Sequence, residues 1–224
     1  MSSPLDNPIW AALTGPQAAV AEHRGDAARY HPDISLFAGL AGPSGWADLA
    51  AMTGPGNEAY LTGPYLDPPA GWETTFRQPG VQLTGERVVG RPFPEAEVLG
   101  SADVPEMLDL VERTKPGPFR KRTISLGLYL GVRREGRLAA MAGTRMRLPE
   151  GWTEISAICT DPAYRGRGLA AGLTLAVAHD IQSRGERPFL STLATNAGAI
   201  RVYERLGFTF RQEVEFTAHR SPSS

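Results

Sequence analysis

The chain has 224 residues, enough to bury a core as one large unit or two small ones, and its 42% hydrophobic and 21% charged residues exclude wholesale disorder and fibrous repeats. A formal net charge of −1 gives no reason to expect nucleic acid or an anionic membrane as partner, so any anion site has to be local. The one cysteine, Cys159, rules out an intramolecular disulfide framework and Cys-rich zinc sites, and it fits a reducing compartment. His23, His31, His179 and His219 are scattered without ligand spacing, so no metal is expected. The opening MSSPLDNPIW lacks the basic and apolar regions of a secretory signal, and no run of about 18 apolar residues occurs anywhere. The chain therefore reads as cytoplasmic, with no membrane partner.

Residues 1–90 are punctuated by LTGPQ, AGPSG, TGPGN, TGPYLDPP and RQPG, which leave room only for short elements. Asn7 before Pro8 predicts an N-cap and a brief helix through Ile9, Trp10 and Leu13. A second brief helix is predicted over Trp46 to Met52, capped by Ser44, followed by strand-like runs around EAYLTG and ETTFRQPGVQLTG. The aromatics Trp10, Tyr60, Tyr65 and Trp72 are read as core more readily than as pocket lining. GERVVGRPFPEAE reads as a linker.

From about residue 95 the periodicity sharpens. AEVLG is a short strand, and Asp103 with Glu106 suggests a capping box opening a helix with Val104, Met107, Leu108 and Val111 on one face. LGLYLGV, the turn RREG, RLAAMAGTRMRL and, after PEGW, TEISAICT form a three-strand meander. A helix from Leu169 to Ser183, a strand PFLSTLA, a helix through Ala199 to Arg205 and a last strand FTFRQEVEF complete the chain. The expected fold is α/β (α+β): a mixed, mainly antiparallel sheet with helices on both faces, spanning residues 91–218. A smaller α/β lobe over 1–90 precedes it, and 219–224 form a flexible tail.

The stretch YRGRGLAAGL, 164 to 173, joins the meander to the helix. A strand, a glycine turn and a helix start present unpaired N–H groups where the helix dipole favours an anion, and phosphate is the natural occupant. Gly166 and Gly168 permit close backbone approach, while Arg165 and Arg167 supply forked donors. A solvated loop with nothing bound is the other reading. GRGLAA also fits the dinucleotide fingerprint G-x-G-x-x-[G/A], but DPAYR separates it from its strand and too little chain follows for a long parallel sheet.

Through RGRGLA (165–170) and, further on, ATNAGAIRVYERLGF (194–208), residues 154–210 resemble the GNAT acetyltransferase superfamily. RGRGLA matches that family's [Q/R]-x-x-G-x-[G/A] signature through Arg165, Gly168 and Ala170, and ATNAGAIRVYERLGF matches its N-x-x-A-x-x-x-Y-x-x-x-G-F segment. The resemblance implies a GNAT domain over 91–218 that uses acetyl-CoA as co-substrate. Ile158, Cys159 and Thr160 would pair with the pantetheine arm; Arg165, Gly166, Arg167, Gly168, Leu169 and Ala170 would hold the pyrophosphate; Asn196 would touch the cofactor further along. Tyr203 falls at the family tyrosine that protonates the departing sulfur, or is simply a core tyrosine, and the two readings are compatible. Glu154 stands where some members carry a general base; an ordinary strand glutamate is the equal alternative. Ser191 replaces a second acidic position of the family. Cys159 is read as a buried thiol rather than a nucleophile. The implied activity is N-acetyl transfer to a primary amine, on a small molecule or peptide, by direct attack in a ternary complex, in a monomer or homodimer. The alternative is a coenzyme A-binding sensor or scaffold without turnover. The first 90 residues carry no signature.

Overall fold

In the computed structural model, which describes residues 3–223, the chain runs α1 (Pro8–Leu13), β1 (Ala21–Arg24), β2 (Ala27–Tyr30), β3 (Ala38–Leu40), α2 (Gly45–Thr53), β4 (Glu58–Leu61) and β5 (Glu73–Thr84). It continues through β6 (Glu97–Val98), α3 (Val104–Thr114), β7 (Tyr129–Arg134), β8 (Arg137–Leu148), β9 (Trp152–Thr160), α4 (Leu169–Ser183), β10 (Arg187–Leu193), α5 (Ala197–Arg205) and β11 (Thr209–Arg220). The period-two pattern of β8 explains the layering, because consecutive side chains leave opposite faces of a strand. Ala140 and Ala142 pack with Leu173, Val177 and Ile181 of α4, whereas Met141 between them packs with Met107 and Leu110 of α3. Helices thus cover both faces of one sheet, as its sequence pattern implies.

That sheet has eight strands in the order β4-β11-β5-β10-β9-β8-β7-β6, and β9–β10 is its one parallel pair among the described residues. Strands from both sides of residue 90 build it. β5 lies between β10 and β11, pairing Leu83 with Leu190 and with Phe210, and β4 forms an edge beyond β11. A separate three-stranded sheet, β1-β2-β3, accompanies α1 and α2. It meets the main sheet through a core of Ile9, Leu13, Tyr30 and Phe37 against Met146, Trp152 and Phe189. Trp10 and Tyr60 pack against that core, and Tyr65 and Trp72 against a second one around Trp46 and Leu49.

Three local readings change. Asn7 and Asp103 precede their helices, but neither side chain caps one: the Asn7 amide donates to the Leu40 carbonyl at 2.8 Å, and Asp103 accepts from the Gly100 amide at 2.7 Å and pairs with Arg133. Ser44 likewise makes no cap bond and donates to Asp26. The stretch read as a linker is a strap over α4. Gln182 donates to the Val88 carbonyl at 2.7 Å and accepts from the Gly90 amide at 2.9 Å, and Phe93 fills the space above Gly172. The last strand runs to Arg220, so residues 219 and 220 of the expected tail belong to the sheet.

Candidate active site

β9 and β10 pair only from Trp152–Arg187 to Glu154–Phe189; beyond that β9 continues to Thr160 without a partner on this edge, while β10 turns to β5. Two parallel strands that separate in this way leave a gap lined by unpaired backbone of β9, facing the carboxyl ends of both strands. The other edge of β9 carries a bulge: the register to β8 jumps between Cys159–Met141 and Ser156–Gly143, and Ala157 takes φ 54°. Ser156, Ala157 and Ile158 are half-buried beside this gap.

After Thr160, Asp161 starts a short turn by accepting from the Ala163 amide at 2.9 Å. That bond and the Arg113 guanidinium hold its carboxyl below the usual range. The chain then enters the glycine loop. Gly166 (φ 77°) and Gly168 (φ 80°) adopt the left-handed conformation that side chains resist, and Gly168 opens α4 without a side-chain cap. The amides of residues 166–171 find no acceptor among the described residues. A run of free N–H groups at the positive end of a 15-residue helix is a built anion cradle. Arg165 and Arg167 are both exposed here and make no ion pair among the described residues; Arg165 donates to the Thr160 carbonyl at 3.3 Å and Arg167 lies over the Tyr164 ring. The Leu169 side chain is buried in the core and Ala170 is half-buried, so both face the cradle through backbone.

Tyr203 of α5 is 6% exposed and packs edge-on against Phe208. Burial, with the Cys159 sulfur as a neighbour, pushes its phenol up to about 12. Its hydroxyl therefore keeps its proton at neutral pH and makes no hydrogen bond among the described residues. Cys159 is itself buried, with a thiol raised to about 11 mainly by burial, which leaves it unreactive. The Thr160 hydroxyl is buried without a partner at the end of the unpaired edge. Asn196 caps α5, accepting from the Ala199 amide at 3.4 Å and donating to Thr192 Oγ1 at 3.4 Å.

Glu154 lies at the last paired position before the gap, but its carboxylate turns into the core. Both oxygens accept from Arg145, from Nε and Nη2 at 2.7 Å each, and Glu154 is 1% exposed. The Arg145 guanidinium lies over the Phe37 ring, 4.4 Å from its centroid. A base must reach its proton donor, and this carboxylate is buried and engaged on both oxygens by Arg145. The sequence reading also missed Tyr129, whose ring lies over Gly143 beside this pair, and the contribution of β5.

A cleft of about 530 Å³ opens past the carboxyl end of β10, lined by Gly63, Asp67, Arg77, Gly80, Ala194, Glu213 and Glu215 among others. Arg77 pairs with Asp67 at 2.8 Å and Glu215 at 3.3 Å, so carboxylates outnumber guanidinium in its wall. Among the described residues no group of three or more His, Cys, Asp and Glu side chains could share a metal, and no helix is long and apolar enough to cross a membrane.

Residues 129–217 match the protein family described as FR47-like protein. A crystal structure described as an acetyltransferase from the GNAT family of Novosphingobium aromaticivorans superposes with a TM-score of 0.93 at 40% identity, covering 100% of both chains. The chain belongs to the GNAT acetyltransferase family. This GNAT chain is also 30% identical over 117 residues to the [ribosomal protein bS18]-alanine N-acetyltransferase of Salmonella typhimurium, spanning 50% of the chain and 78% of that enzyme. It is 31% identical over 188 residues to the mycothiol acetyltransferase of Thermomonospora curvata, spanning 80% of the chain and 58% of that protein's length. A GCN5-related N-acetyltransferase structure from Kribbella flavida shares the fold over 97% of the chain, with a TM-score of 0.63 at 17% identity.

Proposed function

We propose that this GNAT protein transfers an acetyl group from acetyl-CoA to a primary amine in a ternary complex. The observation that carries the reading is the row of free amides at 166–171, placed beside a sheet that opens between β9 and β10. A pyrophosphate satisfies those donors, Arg165 and Arg167 add charge-assisted contacts, and the unpaired edge of β9 at Ile158–Thr160 offers backbone partners to an amide-bearing pantetheine arm. When bound, acetyl-CoA supplies a thioester whose carbonyl carbon takes the amine and whose sulfur departs.

The protein's own contributions follow from position. The β9 edge orients the thioester carbonyl, and its N–H groups stabilise the charge that develops on oxygen. Tyr203 holds a proton at the gap for the leaving sulfur, as its raised phenol allows. Asn196 fixes the start of α5 and hence the reach of Tyr203. Glu154 with Arg145 anchors β9, and the ammonium proton leaves through water in the gap. The acceptor enters through the 530 Å³ cleft, whose carboxylates favour a cationic amine, and residues 1–90 shape it by contributing its Gly63–Asp67 rim and Gly80. The protein acts in the cytoplasm without metal.

The test is release of free thiol from acetyl-CoA in the presence of an amine panel: an amino acid amide, a polyamine and a peptide beginning with alanine. Turnover with one of them supports the reading. Tight coenzyme A binding with no thiol release from any of them would make the protein a coenzyme A-binding module instead.

A further inference from the structure

Two tyrosines flank the buried Arg145–Glu154 pair, and both feel its charges. Tyr30, on the side of the smaller sheet, donates to Gln17 Oε1 at 2.7 Å. Tyr129, on the side of the β9 bulge, is 1% exposed and its hydroxyl has no partner. The placement of that ring follows from the register. Tyr129 pairs with Gly143 of β8, which pairs in turn with Ser156 of β9. A Cβ on Gly143 would sit 2.4 Å from the Tyr129 ring, so the ring lies flat across β8 and needs a glycine beneath it. Ala157, at the bulge of β9 beside the gap, packs against the same cluster as the Tyr129 ring. Phe119 closes the other side edge-on, with ring centroids 5.6 Å apart.

A buried hydroxyl without a partner is a cost to the fold, and removing it would be neutral or stabilising if structure were its only business. The charged groups facing it are Arg145 from β8 and Glu154 from β9; α3 and the Phe119 segment turn Met107, Leu110 and Phe119 toward it. We propose that Tyr129 is a positioning residue for the acyl transfer, its hydroxyl ordering a water at the β9 bulge through which the incoming ammonium passes its proton along the gap to solvent buffer. The inference rests on the acetyl-transfer reading above. It names the side chain that orders the water by which the amine proton leaves, apart from Tyr203.

The experiment is Tyr129→Phe in the full chain, assayed by thiol release with the best acceptor of the amine panel, across pH 6.5 to 10. Acceptor kcat/KM is expected to fall roughly tenfold or more at pH 7, less than the roughly 100-fold or more lost with a group that itself transfers the proton, because Tyr129 only orders the water. Coenzyme A affinity should be unchanged and Tm equal or higher. The deficit should shrink as pH rises toward the amine's own pKa, because the free amine needs no relay. Equal kcat/KM for the two proteins overturns the inference, as does a deficit that is constant with pH or accompanied by a lower Tm, which marks a packing role. Gly143→Ala tests the same placement independently, since it displaces the ring; a folded variant with an undiminished rate also overturns the inference. A wild type inactive on every amine defeats the acetyl-transfer reading itself, which a difference between active proteins does not touch.

Discussion

Replacing Arg145 by Met would strand the Glu154 carboxylate in the core. The pair is bidentate at 2.7 Å, with side-chain exposures of 11% for Arg145 and 1% for Glu154, so water screens it little. Removing one partner of such a pair costs about 3–5 kcal/mol, most of it the cost of the charge left behind rather than the net worth of the pair. For a chain of this length each kcal/mol moves Tm by about 2–4 °C, which gives a fall of roughly 6–20 °C. The double variant Arg145→Met/Glu154→Leu removes both charges, fills similar volume, and should recover most of that loss. Thermal and urea melts of the four proteins close the cycle, and thiol release from the double variant reports on chemistry. If Glu154 only anchors β9, the double variant keeps turnover within about tenfold of wild type, short of the loss expected for a general base. A single-variant loss under about 1 kcal/mol, the range of exposed pairs, would show that the pair is not buried in solution, and a folded but inactive double variant would return Glu154 to the role of base.

Tyr203→Phe should lower kcat roughly 100-fold while coenzyme A affinity stays nearly unchanged, checked by steady-state kinetics and calorimetric titration; equal turnover would leave Tyr203 as core packing alone. Because its phenol sits near 12, wild-type activity should show no alkaline limb from this group below about pH 11, and a limb near 10 abolished in Tyr203→Phe would contradict the raised phenol while keeping its role as proton donor. His219 is fully buried against Trp46, and burial, with Arg77 adding to it, lowers its pKa to about 4 from an unfolded value near 6.5. A depressed histidine prefers its neutral form in the fold, so its contribution is intact above about pH 6.5 and is lost as pH falls toward 4. The loss reaches about 3 kcal/mol at the bottom of that window, and His219→Phe should flatten this part of a Tm-against-pH profile.

Where local pattern decides, the sequence was enough. β8, β9 and α4 are apolar-rich runs of nine or more residues bounded by turn residues, and two GNAT motifs in order located the glycine loop, Tyr203 and Asn196. What it could not show is set by pairing across distance. ETTFRQPGVQLTG reads as a strand, but nothing in it says that it will sit between β10 and β11, whose residues lie more than a hundred positions away. Nor does TEISAICT reveal that Glu154 meets Arg145, because a bulge in β8 between Thr144 and Arg147 sets that register. The glutamate stands at the expected position, while its environment comes from the residues of α1 to β3 folded over it. Tyr129 was passed over for the same reason: an aromatic in an apolar strand signals core, and only the structure shows its hydroxyl left alone.

The central claim is that the amides opening α4 hold a diphosphate. Calorimetric titration of coenzyme A into wild type and Gly168→Val tests it most directly. A Cβ at Gly168 meets no protein atom within 4 Å, so the valine projects into the open space of the cradle rather than into the core. The left-handed φ adds strain of roughly 1–2 kcal/mol, which the fold should tolerate. Wild type should show saturable one-to-one binding and the folded variant a loss of affinity of 100-fold or more. Equal coenzyme A affinity in the two proteins would contradict the claim.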